Sequence, residues 1–385
     1  MGARVAQQAR LGEQVSNPLK EFSEELLAEV QRNPLDITKV ITQLRTATDV
    51  GQVVDPADET AQFRVWNPVL VALFNARCVY QATEVGLAWY SRLCELERVH
   101  GKRFHKGGPA QQIALCYLAQ GRRHSAHWHF ALAFVEDVRQ QGGLPGAIPE
   151  APASQALRLH FGRGEAYLQA VAEHAREPAQ VLYPEEILVE LARAGQYVGM
   201  RAEAMDEIPL NATFLQELTS RLDGGTADEK GRALEFLASY LMMLLPGVRL
   251  IPNARTPDHE MDLIVVQDVP GTSYLVEALG RAFLIECKNW TKSVGSEQLN
   301  HFASKMRFHR CSGGVIFARN GLSGGVAVGF GVSYARLTQL RWYQQDSCAI
   351  LVVDLASIKS LSAGQTRLSE MLLSAYETVR FNLTS

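Results

Sequence analysis

Arg281-Ala282-Phe283-Leu284-Ile285-Glu286-Cys287-Lys288 is an apolar, strand-like run that ends on an acid and a lysine two residues apart. Successive strand side chains alternate between faces, so Glu286 and Lys288 project together and Cys287 points the other way. Upstream, Glu260-Met261-Asp262-Leu263-Ile264-Val265-Val266 is a second such run, with its acid Asp262 placed 24 residues before Glu286. From a neighbouring strand Asp262 reaches the same point as Glu286. Burying two carboxylates and a lysine at the end of apolar strands is expensive unless the group holds something. Two hard oxygen donors suit a divalent cation such as Mg²⁺, which accepts few protein ligands and keeps several waters. The backbone carbonyl of Cys287 is a further candidate ligand. Lys288 is then placed to position or help deprotonate a water, with the cation stabilising charge on phosphorus oxygens.

An isolated Glu-x-Lys also arises as an ordinary ion pair at a strand end; its ordered surroundings sharpen the signal. A helix-like segment, Lys230 to Leu245, precedes Asp262 and stops at Pro246-Gly247, a helix-ending dipeptide. Glu235 lies early on that segment, either a site acid or a solvated residue opposite the core face. After Lys288 come Asn289-Trp290, a loop, and a helix that starts near Ser296-Glu297-Gln298.

The series Gly231-Arg232-Ala233-Leu234-Glu235, Glu260-Met261-Asp262, Glu286-Cys287-Lys288 and Gln298 resembles the PD-(D/E)XK nuclease superfamily. Within it, the chain is most similar to the Mrr-like restriction endonuclease catalytic domain, over roughly residues 226–360. The resemblance implies a central twisted mixed sheet flanked by helices, Mg²⁺-dependent phosphodiester hydrolysis with Mn²⁺ as a substitute, and DNA as substrate. It assigns Asp262 and Glu286 to the metal, Glu235 and Glu260 to its support, and Lys288 to the water. Gln298 would orient site groups or the nucleic-acid backbone; alternatively it satisfies backbone groups at a helix start. Two positions depart from the family pattern: Met261 stands where the nominal motif has proline, and Glu286 stands where Mrr itself tends to carry glutamine.

Net charge is −3 overall, but residues 230–385 carry 16 Lys and Arg against 12 Asp and Glu, a net of +4. The remainder holds 22 basic and 29 acidic residues, a net of −7. A modestly basic C-terminal part fits a phosphate-binding surface. The helix from Ser296 carries Lys305, Arg307 and Arg310 as candidate phosphate contacts, which position DNA without reading its sequence. Asn320 opens Asn320-Gly321-Leu322-Ser323-Gly324-Gly325, a glycine-rich loop without the lysine of a P-loop and a candidate DNA contact. The six cysteines (78, 94, 116, 287, 311 and 348) form no Cys-x-x-Cys pair and are expected to be reduced. No apolar run approaches the ~20 residues of a membrane span. The first residues lack the apolar core of a signal peptide, so a cytoplasmic protein is expected.

Residues 1–225 read as helical and 226–385 as α/β, an α plus α/β organisation with the main boundary at Asp223-Gly224-Gly225-Thr226. Gly142 to Pro152 reads as a loop or linker by composition. The spacing of Ile113, Ala114, Tyr117, Ala126, Phe130 and Ala133 resembles a tetratricopeptide repeat, one unit with a degenerate copy before it. Trp89 and Trp128 read as core. His127 and His129, two apart on one helix, read as packing or surface residues and not as metal ligands. In the α/β part, strands are expected at 249–251, 261–267, 282–288, 314–318 and 349–354, and helices at 296–308 and 366–379.

Together these features lead to a Mg²⁺-dependent DNA endonuclease with a restriction or anti-phage defence role. The helical part would sense a trigger, recruit a protein partner or dimerise the chain. A junction-resolving nuclease and a non-catalytic nucleic-acid-binding adaptor are the alternatives. Two active sites are needed to cut two strands, so a homodimer is expected.

Overall fold

The computed structural model describes residues 25–26, 28–29, 32, 36–49, 59–141, 150–176, 183–197, 206–255, 259–268, 274–323, 333–364 and 366–383. The first residues of the chain, most of the loop expected at 142–152 and Gly324-Gly325 lie outside them. The chain divides into two compact units, Met1–Gly121 and Arg122–Ser385.

The first unit is helical among the described residues: α1 (Ile37–Asp49), α2 (Glu59–Asn75), α3 (Val79–His100) and α4 (Gly107–Ala119). Its core gathers Leu44, Trp66, Leu70, Val85, Trp89 and Leu93 from the first three of these helices. Trp89 is a packing residue, 1% exposed. Behind α3, the buried Glu97 carboxylate accepts the Phe104 amide at 2.8 Å and pairs with the equally buried Lys106. That pair fixes the turn into α4.

Five helices open the second unit: α5 (Arg123–Gln141), α6 (Pro152–Phe161), α7 (Glu165–Arg176), α8 (Pro184–Arg193) and α9 (Ala212–Arg221). Both helices of the expected tetratricopeptide-like unit form, as α4 and α5, and the compact units divide between them. His124, His127 and His129 are all buried on α5. His127 packs among Phe161, Tyr167 and Tyr197 and accepts the Arg163 Nε–H at 2.8 Å.

The α/β part follows. Thr226 caps α10 (Ala227–Met243): its hydroxyl accepts the Glu229 amide at 3.3 Å, and the Glu229 carboxylate accepts the Thr226 amide at 2.7 Å. Leu234, Leu237, Ala238 and Leu241 stand at the i, i+3, i+4, i+7 spacing of one helix face and are buried. Then come β1 (Val248–Arg255), β2 (Glu260–Gln267), α11 (Tyr274–Leu279), β3 (Ala282–Lys288) and α12 (Ser296–Phe308). The chain continues as β4 (Gly313–Ala318), α13 (Tyr334–Asp346), β5 (Ala349–Asp354), α14 (Leu355–Ser362) and α15 (Leu368–Arg380). The strands form one sheet in the order β1-β2-β3-β4-β5.

The first two pairings are antiparallel and the last two parallel, which makes the sheet mixed. A parallel pair needs a crossover, and α12 and α13 supply the two. All six residues of β4 are buried, as befits an inner parallel strand. Leu299, Phe302 and Met306 of α12 share a core with Leu284, Ile316 and Ile350 of the sheet. Gly314 sets that distance: a Cβ there would lie 2.6 Å from the Phe302 ring and 2.8 Å from the Met306 sulfur. Only a residue without a side chain lets α12 lie so close to the strands.

Candidate active site

The β2–β3 ladder ends at Leu263 opposite Ile285. One residue beyond it, the Asp262 carboxylate takes over from a main-chain carbonyl and accepts the Cys287 N–H at 2.6 Å. On its other side, β1 pairs Pro252 with Leu263 and Ala254 with Met261, so Asn253 stands opposite Asp262. Asn253 adopts a left-handed backbone (φ 47°), which asparagine tolerates better than most residues. The pairing of β2 with both of its neighbours is therefore interrupted where the acid sits.

Glu286 is 5% exposed and holds two ammonium groups, Lys288 at 2.7 Å on Oε1 and Lys305 at 2.8 Å on Oε2. Alternation along β3 puts Glu286 and Lys288 on the side of Leu284, the face that α12 covers, and Lys305 reaches them from α12. Lys305 also donates to the Glu260 carbonyl at 2.7 Å. Burial alone would raise the Glu286 pKa; Lys288 first and then Lys305 outweigh it and hold the carboxyl below its usual range. Asp262 has no such cation. Burial, then the Glu286 charge and more weakly Glu235, push its pKa up to about 6, against the Cys287 N–H and Lys288. The site thus holds one compensated and one uncompensated carboxylate.

Cys287 faces the opposite way. Burial first, then the nearby Asp262, Glu235 and Glu286, push its thiol well above the usual value, with Arg193 opposing. The thiol therefore stays protonated, which leaves the backbone carbonyl as the only donor this residue has for a hard cation. Glu235, from α10, meets Arg193 of α8 at 3.6 Å, and the same guanidinium donates to the Glu235 carbonyl and to Ser239 Oγ at 3.3 and 2.8 Å.

The other expected residues occupy distinct places. Lys305, expected on an outer phosphate-facing surface, is 6% exposed and sits inside the carboxylate site. The Glu260 carboxylate turns away to Arg255 at 2.8 Å, so its contribution is the carbonyl that Lys305 meets. Gln298 accepts the Gly295 N–H at 3.0 Å and so satisfies a backbone group at the start of α12. Arg307 lies near Asp346 at 3.7 Å with its guanidinium 5.8 Å from the Trp342 ring centre, and Arg310 is exposed just past α12. Asn320 donates to the Thr291 carbonyl at 2.8 Å. Arg193 was not foreseen. It belongs to a different helix from every motif residue, and no local spacing marks it.

Residues 231–327 match the family model described as a restriction endonuclease, the Mrr catalytic domain. This segment is similar to a restriction endonuclease catalytic domain. The match spans 97 of the 385 residues and contains Glu235, Asp262, Glu286, Lys288, Gln298 and Lys305. No curated protein and no solved structure matches the chain. No helix among the described residues is long and apolar enough to cross a membrane.

Among the described residues, no three His, Cys, Asp or Glu side chains form a ready-made metal cage. What the matched segment offers is a pair of carboxylates with a backbone carbonyl between them, all oxygen donors. Mg²⁺ is commonly bound through one or two carboxylates and keeps the rest of its shell as water. Burial raises Asp262 first, and the Glu286 charge that adds to it is what a cation would relieve. The donor set fits a hard divalent ion.

Proposed function

We propose that the restriction endonuclease domain is a Mg²⁺-dependent DNA endonuclease whose working groups are Asp262, Glu286 and Lys288. The observation that carries this reading is Asp262, Glu286 and Lys288 meeting at the β2–β3 strand ends, inside the matched segment. Asp262, Glu286 and the Cys287 carbonyl would hold the ion, with Mn²⁺ acceptable to the same donors. When bound, it stabilises charge on the phosphoryl oxygens and lowers the pKa of a water.

The two lysines divide the remaining work. Lys305, 7% exposed in its side chain, stays on Glu286 and keeps that carboxylate ionised. Lys288, 23% exposed, is the one able to turn toward an attacking water and orient it on phosphorus. Arg193 holds Glu235 beside the site, where Glu235 would support the ion. Arg307 and Arg310 lie outside the carboxylate cluster and suit contacts to the DNA backbone.

We further place this activity in the cytoplasm, as a restriction or anti-phage effector with the helical part, 1–225, as its sensing or partner-binding region. The chain would act as a homodimer that supplies one site per strand; light scattering should give twice the monomer mass, and a monomer whose products are only nicked would remove this element. Titration calorimetry tests the core of the proposal. Mg²⁺ binding that Glu286→Ala abolishes is expected. Failure to bind Mg²⁺ or Mn²⁺ would favour a non-catalytic nucleic-acid-binding adaptor. A strong preference for four-way junctions over plain duplex in cleavage would favour a junction-resolving enzyme.

A further inference from the structure

Trp290 lies two residues past Lys288 and is 48% exposed. Its ring centre is 4.9 Å from the Lys288 ammonium, which in turn is 2.7 Å from Glu286. A single ammonium therefore separates an exposed indole from the carboxylate site. The segment that carries the indole is fixed on both sides. Asn289 Nδ2 donates to the Lys230 carbonyl at 3.0 Å, and Asn320 Nδ2 donates to the Thr291 carbonyl at 2.8 Å. Beyond it, Val294 N–H donates to the Gly321 carbonyl at 2.9 Å, and Ser323 N–H to the Val294 carbonyl at 2.8 Å. The two asparagines and these backbone bonds hold the turn still, so little ordering entropy is lost when something lands on the ring.

We propose that Trp290 is a stacking platform for an unpaired nucleobase next to the phosphodiester that the site takes, so that the indole adds to the binding of single-stranded DNA and not to that of intact duplex. The inference rests on the nuclease reading for the position of the phosphate. In a duplex each base is stacked on its neighbours and its face is closed to a side chain; in an unpaired strand that face is open. One nucleotide places its base on the indole and its phosphate toward Lys288 and Glu286. Lys292, exposed on the same turn, adds a positive charge for the neighbouring backbone. Asn320 then serves DNA indirectly, by holding the platform.

The test uses the full-length protein in EDTA, with fluorescein-labelled oligothymidine and a blunt hairpin duplex as probes followed by anisotropy. Trp290→Ala should weaken oligothymidine binding about five- to a hundredfold and leave duplex binding unchanged. Trp290→Phe should keep most of the affinity. Oligothymidine should quench tryptophan emission in the wild type, and comparison with Trp290→Phe isolates that signal among the five tryptophans. An abasic site moved along the oligothymidine should reproduce the loss at one position, using unaltered protein. Equal binding by Trp290→Ala and wild type, equal loss on both DNAs, or a flat abasic series would overturn the proposal. Because binding in chelator needs no cleavage, a Trp290 effect without any DNA cutting sinks the nuclease reading alone. Cutting with no Trp290 effect sinks the stacking alone.

Discussion

Asp262 stands apart from its neighbours because its negative charge is not balanced in the folded protein. A folded-state pKa of about 6 against an ordinary 3.8 means that the native state binds more protons than the unfolded chain between those values. Stability therefore falls as pH rises through that window, and the full penalty is present above pH 6. Asp262→Asn keeps an acceptor for the Cys287 N–H and removes the charge. It should stabilise the protein by about 1–3 kcal/mol near neutral pH, with the gain vanishing near pH 4, while cleavage is lost. Urea unfolding at both pH values checks it; a lower midpoint at neutral pH would show that the carboxylate is not a burden. Lys305 has the opposite character. Lys305→Met leaves a buried carboxylate with one partner fewer and should cost about 3 kcal/mol, a larger loss than Lys288→Met at its more exposed position. Equal losses for the two would mean that Lys305 is not the deeper anchor of Glu286. The paired acids and Lys288 were legible in the sequence because period-two alternation fixes their faces. The place of Lys305 was not, since it depends on how close α12 lies to β4, and that is set by Gly314.

At the scale of elements, strands β2 to β5 and helix α12 lay within a residue or two of where apolar runs and caps put them. The sequence reading passed over three helices: α11 and α14 are short, six and eight residues, and α13 lacks an apolar stripe. Buried residues of α13 include Gln339, whose side chain donates to the Ile350 carbonyl at 2.6 Å, and a polar residue of that kind hides a helix face from hydropathy. Arg193 is the element-scale feature beside the candidate site, because α8 and α10 meet through it at Glu235 and Ser239. Arg193→Ala should destabilise the protein by about 1–2 kcal/mol and slow cleavage through a misplaced Glu235. Arg193→Lys should restore only part of each, since an ammonium cannot reproduce the guanidinium fork. Unfolding midpoints and single-turnover rates for the pair check this. An alanine variant with wild-type values in both would remove Arg193 from the site.

Over the whole molecule, composition changes at 223–226, whereas the compact units divide between Gly121 and Arg122. The difference comes from bonds between residues distant in sequence. The Glu207 carboxylate accepts the Leu368 amide at 2.9 Å and the Ser369 hydroxyl at 2.5 Å, and the Ile208 N–H donates to the Leu244 carbonyl at 2.9 Å. Such pairings leave no trace in local periodicity, so helices α5 to α9 read as part of a separate helical half. The segment that matches the restriction endonuclease model, by contrast, is marked by short motifs and could be read from them. The central claim is that Asp262, Glu286 and Lys288 form one metal-dependent phosphodiesterase site, and conversion of supercoiled and single-stranded DNA in Mg²⁺ tests it most directly. The wild type should cut, EDTA should stop it, and Asp262→Ala and Lys288→Ala should each be slower by about 10²–10³-fold or more. Cutting by those two variants at the wild-type rate, or no cutting by the wild type on either DNA, would contradict the account.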